Sequence, residues 1–291
     1  LEDGNSMTDT VDASKDQWDQ GDEWTASCQD GGSVEIPDEE GWSVNNAIDD
    51  MNRAMTADFG LYWSINTATT AVAEETDLCE ITDVLSRVGY VQADNGKEIS
   101  PADPSFVLGS EEVSPLTQAS AFAALANDGE YCAPRALEEV TDAQGKEYDI
   151  PEANCEQAID SDVVAELNET LIPIAEERTA EGDPEFPMAG KTGTDNFESS
   201  TWFNGYTTGL STSAWAGRYT DLESLRGSTI GGEYYENLWG SELAGPMWLN
   251  YMNEVAPDYS TDEFTTPDDS PHDDPDDMSR YEVSGGGPDE E

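Results

Sequence analysis

The sequence predicts an α+β fold, an antiparallel sheet flanked by a helical lobe. Three observations carry this. Apolar residues recur at helical spacing in several segments between residues 46 and 177. The pattern then changes to consecutive short strands between residues 187 and 218. One further amphipathic helix follows them. With 36% hydrophobic residues and eight Trp, a chain of 291 residues can bury a core that holds these elements together.

Residues 1–45 are polar and read as loop with short strands. Trp18, Trp24, Cys28 and the pair Gly31-Gly32 suggest an irregular packed crossing rather than a helix. From Asn46 the spacing of Ala47, Met51, Ala54 and Met55 predicts a helix reaching Phe59-Gly60. A second helix starts near Ser64 and runs through Thr70, Val72 and Ala73. Asp77 caps a third, with Ile81, Val84, Leu85 and Val88 on one face and Gly89 as its stop.

The clearest helix is Ser114 to Asn127. Pro115 suits its first turn, and Leu116, Ala119, Phe122, Ala123 and Ala126 form its stripe. Another runs from Asp160 to about Glu177 through Val163, Val164, Leu167, Leu171 and Ile174. The three strands then fall around Lys191-Thr192-Gly193-Thr194, Trp202 to Tyr206 and Thr212 to Arg218, with Trp202 and Trp215 read as core. The last helix covers Gly245 to Val255. Residues 1–256 are thus expected to form the domain. Residues 257–291, rich in Pro, Asp, Glu, Ser and Gly, read as an acidic disordered tail.

The formal net charge of -54 excludes nucleic acid and anionic lipid as partners, because phosphate contacts need clustered Lys and Arg. Acids spread along the whole chain describe a solvated surface suited to a salty environment. The single histidine, His272, lies in the acidic stretch, so neither a Ser-His-Asp triad nor a His-based zinc site is expected. No stretch approaches the ~18 uninterrupted apolar residues of a membrane span. The opening Leu1-Glu2-Asp3-Gly4 reads as the end of a helix entering a turn. The expectation is therefore a piece whose targeting signal or membrane anchor, if any, lies upstream.

Four cysteines stand at 28, 79, 132 and 155, without a CxxC pair or zinc-cluster spacing. Cys132 and Cys155 flank a segment that reads as a β-excursion closed at its base. That favours pairing them and, by elimination, Cys28 with Cys79. Four cysteines allow three connectivities, and four buried thiols in a cytosolic protein are the alternative. Disulfides would place the chain outside the membrane.

Lysine is rare here, occurring only at 15, 97, 146 and 191. Lys191 stands between Gly190 and Thr192 at the start of a strand. It supplies a fixed positive charge, the neighbouring threonine hydroxyls can bind a carboxylate, and Gly193 admits a ligand backbone. Read separately, Lys191 could be a solvated edge residue, and Ser64 and Asn66 merely the cap and first turn of a helix.

Their order along the chain points further. Gly190 to Thr194, followed by Trp202-Phe203-x-Gly205-Tyr206 and Ala214-Trp215-Ala216-Gly217, resembles the K-T-G strand and following strands of penicillin-binding transpeptidases. Ser64-Ile65-Asn66-Thr67 resembles the family's S-x-N motif, and Gly109-Ser110 to Asp128-Gly129 the helix placed between the two. The resemblance covers roughly residues 1–256, and the cysteine placements look most like actinobacterial class A members. The family's third motif, S-x-x-K, is absent. Three residues before the four lysines stand Asp12, Asp94, Ala143 and Met188. In the family that motif precedes a segment resembling residues 1–4, so the nucleophile is expected upstream.

The resemblance implies a penicillin-binding protein/serine β-lactamase-like fold, incomplete at the N-terminus. It also implies an acyl-serine D,D-transpeptidase acting on peptidoglycan stem peptides at the extracytoplasmic face, with β-lactams acylating the same serine. Ser64, Asn66 and Lys191 would be catalytic, with Thr192, Gly193 and Thr194 binding substrate. No metal or organic cofactor is implied, and the membrane is involved only through an upstream anchor. A non-catalytic wall-peptide-binding or scaffold module is one alternative. A β-lactamase-like hydrolase is the other, although no deacylating Glu motif is evident.

Overall fold

Three of the described α-helices begin on a side chain that accepts from an unpaired amide. The computed structural model describes residues 1–36, 40–179, 184, 186–218, 220, 222–272, 274–275 and 277–283. Helix α1 (Ala57–Tyr62) and helix α2 (Asn66–Glu75) follow one another closely. Helix α3 (Leu78–Arg87) is capped by the Asp77 carboxylate, which accepts from the Cys79 N–H. Helix α4 (Pro115–Ala126) starts on Ser114, whose hydroxyl accepts from the Thr117 N–H, with proline in the first turn. Helix α5 (Ser161–Arg178) is capped by Asp160 and carries Arg178 in its last turn, where a cation suits the helix dipole. Helix α6 (Ala244–Val255) closes the domain behind the sheet.

Strands β1 (Ala189–Thr194), β2 (Ser200–Thr207) and β3 (Leu210–Gly217) form an antiparallel meander in the order β1-β2-β3. Lys191 faces Asn204 in register, Gly193 faces Trp202, and Trp202 faces Trp215. Alternation sends Phe203 into the core with Trp248 and Met252 of α6. Helices α4 and α5 pack on the sheet, so a second core joins Leu171 and Ile174 of α5 to Tyr206 of β2 and to Met55, Phe59 and Tyr62. A third core gathers Trp18 and Trp24 with Leu78 and Phe106 beneath the N-terminal segment. Two disulfides fasten this frame, Cys28–Cys79 with Cα atoms 5.9 Å apart and Cys132–Cys155 with Cα atoms 4.1 Å apart.

Three expectations are corrected. The helix read from Asn46 to Phe59 is a loop, then a strand at Ala54–Thr56 paired with Thr10–Asp12, and helix only from Ala57. Met51, Met55 and Phe59 are buried as their spacing required. The run Asn45 to Asn52, however, holds three asparagines and two aspartates, which favour turns over helix interiors, and Asp50 adopts φ 60°. Trp202 and Trp215 are not core. They form a half-buried cross-strand pair with ring centroids 6.2 Å apart.

The tail is the third correction. The described residues between 257 and 283 lie across the domain, while residues 273, 276 and 284–291 fall outside the described residues. Tyr281 is 2% exposed and stacks on Tyr62 at 4.0 Å, and Phe264 meets the edge of Tyr206 at 5.6 Å. His272 Nε2 lies 3.7 Å from Asp58 and 4.0 Å from Glu169, and Arg280 lies 3.7 Å from Asp58. A few aromatic and charged anchors, with no helical period, hold the segment, which is why composition alone reads it as disordered.

Candidate active site

The turn between α1 and α2 is tight because the two helices nearly touch. A Cβ on Gly60 would lie 2.6 Å from the Ala68 Cβ. The chain reverses through Ser64, whose φ of 54° lies in the left-handed region that costs a non-glycine residue roughly 1 kcal/mol. Backbone bonds fix the turn, Ser64 N–H to Leu61 C=O at 3.2 Å and Ile65 N–H to Gly60 C=O at 2.8 Å. Ser64 is thus not the helix cap, a position that Ile65 takes. Its side chain is exposed on the side facing β1.

There it meets Lys191. The Lys191 ammonium donates to the Ser64 Oγ, joining two residues 127 positions apart. It also donates to the Thr192 carbonyl at 3.1 Å. Burial pushes the Lys191 amine down to about 8 from its ordinary 10.5, with the charge of Arg178 as the second cause. Arg178 comes from the last turn of α5, and its guanidinium lies 5.1 Å from the Trp63 ring and 5.7 Å from the Tyr62 ring. Trp63, next to Ser64, also donates its indole N–H to the Tyr281 carbonyl at 2.8 Å. Three separated segments, β1, the end of α5 and the C-terminal segment, therefore converge on this turn.

Asn66 lies in the first turn of α2 and donates to the Asn45 carbonyl at 2.7 Å. Beside it Asn45, Asn46, Asp49 and Asp50 line a polar hollow of about 400 Å³, whose lining includes neither Ser64 nor Lys191. Thr192 Oγ1 is 3.4 Å from the Lys191 nitrogen. The Thr194 side chain is exposed, and its hydroxyl accepts from the Gly240 N–H at 3.0 Å. The one group of possible metal ligands among the described residues is Glu130, Cys132 and Cys155, whose sulfurs are joined in a disulfide. The arrangement offers a hydroxyl paired with an amine of lowered basicity, beside hydroxyls suited to an anion.

The penicillin binding protein transpeptidase domain model matches residues 26–219, more than half of the chain and a span that contains Ser64 and Lys191. The chain belongs to this transpeptidase family. Penicillin-binding protein 1A of Aquifex aeolicus is 28% identical over 232 residues, covering 78% of this chain and 29% of that protein. Penicillin-binding protein 1A of Mycobacterium tuberculosis is 27% identical over 250 residues, covering 82% and 30%. The chain thus spans less than a third of the length of these relatives. The PonA1 protein from Mycobacterium tuberculosis, solved in complex with penicillin V, aligns with a TM-score of 0.70 at 23% identity. That alignment covers 92% of this chain and 69% of the solved one, and the likeness shows the fold.

Within this transpeptidase domain, Ser64 and Lys191 are brought together, with Thr192, Gly193 and Thr194 following on the same strand. Arg178, Trp63 and Gly240 had no signal in the sequence. Arg178 is one arginine on a helix end, and Gly240 follows no recognisable turn pattern. Among the described residues, no helix is long and apolar enough to cross a membrane.

Proposed function

We propose that the protein is a peptidoglycan D,D-transpeptidase that cross-links wall stem peptides on the extracytoplasmic face and is acylated by β-lactams. The Lys191–Ser64 hydrogen bond carries this reading, since it couples an exposed hydroxyl to an amine whose basicity is lowered towards neutrality. A serine upstream of Leu1 attacks the carbonyl between the two terminal D-alanines, and the C–N bond to the last residue breaks. Ser64 relays the nucleophile's proton to the departing amine, and Lys191 holds the relay in a positive field. Asn66 orients the substrate amide. The hydroxyls of Thr192 and Thr194 hold the terminal carboxylate, and the Thr194 N–H supplies half of an oxyanion hole. An acceptor amine from a second strand then displaces the serine ester, returning the proton to the serine.

Labelling with a fluorescent penicillin tests this. The chain from Leu1 to Glu291 contains no S-x-x-K and should remain unlabelled, whereas the protein carrying its upstream sequence should be labelled. In that longer protein Ser64→Ala should slow acylation by about 10²- to 10⁴-fold, the usual range for a lost proton relay. Covalent labelling of a serine within residues 1–291 would overturn the assignment.

A further inference from the structure

A threonine hydroxyl has one proton to give and two lone pairs to offer. A carboxylate has only lone pairs, so a hydroxyl that binds it must present its proton outward. Nothing in a β-strand dictates that orientation, because the C–O bond of an exposed threonine rotates freely. At Thr194 one orientation of the rotor is closed. The Gly240 N–H donates to Oγ1 at 3.0 Å, and among the described residues the hydroxyl meets no acceptor of its own.

Gly240 is held in place from several directions. Its carbonyl accepts from the Gly245 N–H at 2.7 Å, in the first turn of α6. The preceding Leu238 is fully buried, and its N–H donates to Glu198 Oε2 at 2.9 Å. Gly240 itself is buried against β1 and β2. A Cβ there would stand 2.7 Å from the Trp202 carbonyl oxygen, 2.9 Å from the Thr192 Cβ and 3.1 Å from the Gly193 oxygen. Two of those three atoms are backbone, so they cannot turn aside. Only a residue without a side chain lets this loop approach closely enough to reach Thr194.

We infer that Gly240 is a positioning residue for carboxylate recognition, its N–H occupying a lone pair of Thr194 so that the hydroxyl proton points outward to the ligand. The inference deepens the proposed function and rests on its assignment of Thr194 to the terminal carboxylate of the donor peptide. A pinned hydroxyl arrives already oriented and loses less rotational freedom when the carboxylate binds. It also favours the acid over a terminal amide, because an amide nitrogen would bring a donor against a donor.

The test uses the full chain, since binding does not need the nucleophile. N-acetyl-D-alanyl-D-alanine and its C-terminal amide are titrated by NMR into wild type, Gly240→Ala, Thr194→Val and Thr194→Ser. Wild type and Thr194→Ser should bind the acid about tenfold more tightly than the amide, the worth of one hydrogen bond to a charged group. Gly240→Ala and Thr194→Val should each lose that preference. If Thr194→Val loses the preference and folded Gly240→Ala keeps it, this inference fails and the function stands. If wild type shows no preference, the role of Thr194 fails and takes the inference with it. Should Gly240→Ala not fold, the Gly240 amide reports directly. Its hydrogen exchange should quicken about tenfold in Thr194→Val and stay slow in Thr194→Ser. Unchanged protection in Thr194→Val would overturn the inference.

Discussion

Two effects pull the Lys191 proton equilibrium the same way. Burial disfavours its charge, and Arg178 adds a second positive charge nearby, so the amine falls from 10.5 to about 8. With four lysines in the chain, the ¹³Cε signals of labelled lysine should be separable, and one should titrate near pH 8. Arg178→Met should raise that midpoint by removing the weaker of the two causes, and Arg178→Lys should retain it. A Lys191 signal that titrates with the other lysines would refute the assignment. The stability consequence has a definite sign. Between pH 8 and 10.5 the unfolded chain keeps the proton that the folded chain has released, so stability should rise with pH across that window. The approach of Ser64 to Lys191 was legible in sequence because each sits in a short motif. Gly240 was not, because its meaning depends on Thr194, which is 46 residues away.

Among the elements, the two disulfides do different work. Cys28–Cys79 closes a separation of 51 residues and ties the tryptophan-rich N-terminal segment to α3. Chain-entropy arguments for a loop of that length give about 4 kcal/mol. The double variant Cys28→Ser/Cys79→Ser should therefore lower the urea midpoint of the whole domain. Cys132–Cys155 closes an excursion whose hairpin, Val140–Thr141 with Glu147–Tyr148, is mostly exposed. Its removal should speed amide exchange within residues 133–154 and leave the sheet protected. Equal effects of the two variants on the global midpoint would contradict this division. The capped helices α3, α4 and α5 could be read from Asp77, Ser114 and Asp160, since capping is decided within a few residues. The segment from Asn46 to Thr56 could not. Its buried methionines satisfy helical and extended patterns alike, and pairing with Thr10–Asp12 decides between them.

For the whole molecule, a net charge of -54 makes self-repulsion a general force against compactness. Salt shortens the screening length from ~30 Å at 0.01 M to ~3 Å at 1 M. Urea midpoints of the protein should therefore climb between dilute buffer and molar potassium chloride. A flat or falling midpoint would mean that the acids are already compensated locally. The same acidity hid the C-terminal segment from sequence reading, because its few anchors, Phe264, His272, Arg280 and Tyr281, are dispersed among aspartates. The position of Tyr281 has a further consequence, in the timing of synthesis. The ribosome makes Tyr281 218 residues after its partner Trp63, which at about 5–20 residues per second is a delay of roughly 10–45 s. Through that interval the Ser64 turn exists without the carbonyl that receives the Trp63 indole and without the ring that covers Tyr62. The Ser64 hydroxyl is therefore translated well before the segment that locks its turn, and a nascent chain can hold both Ser64 and Lys191 before that turn is set.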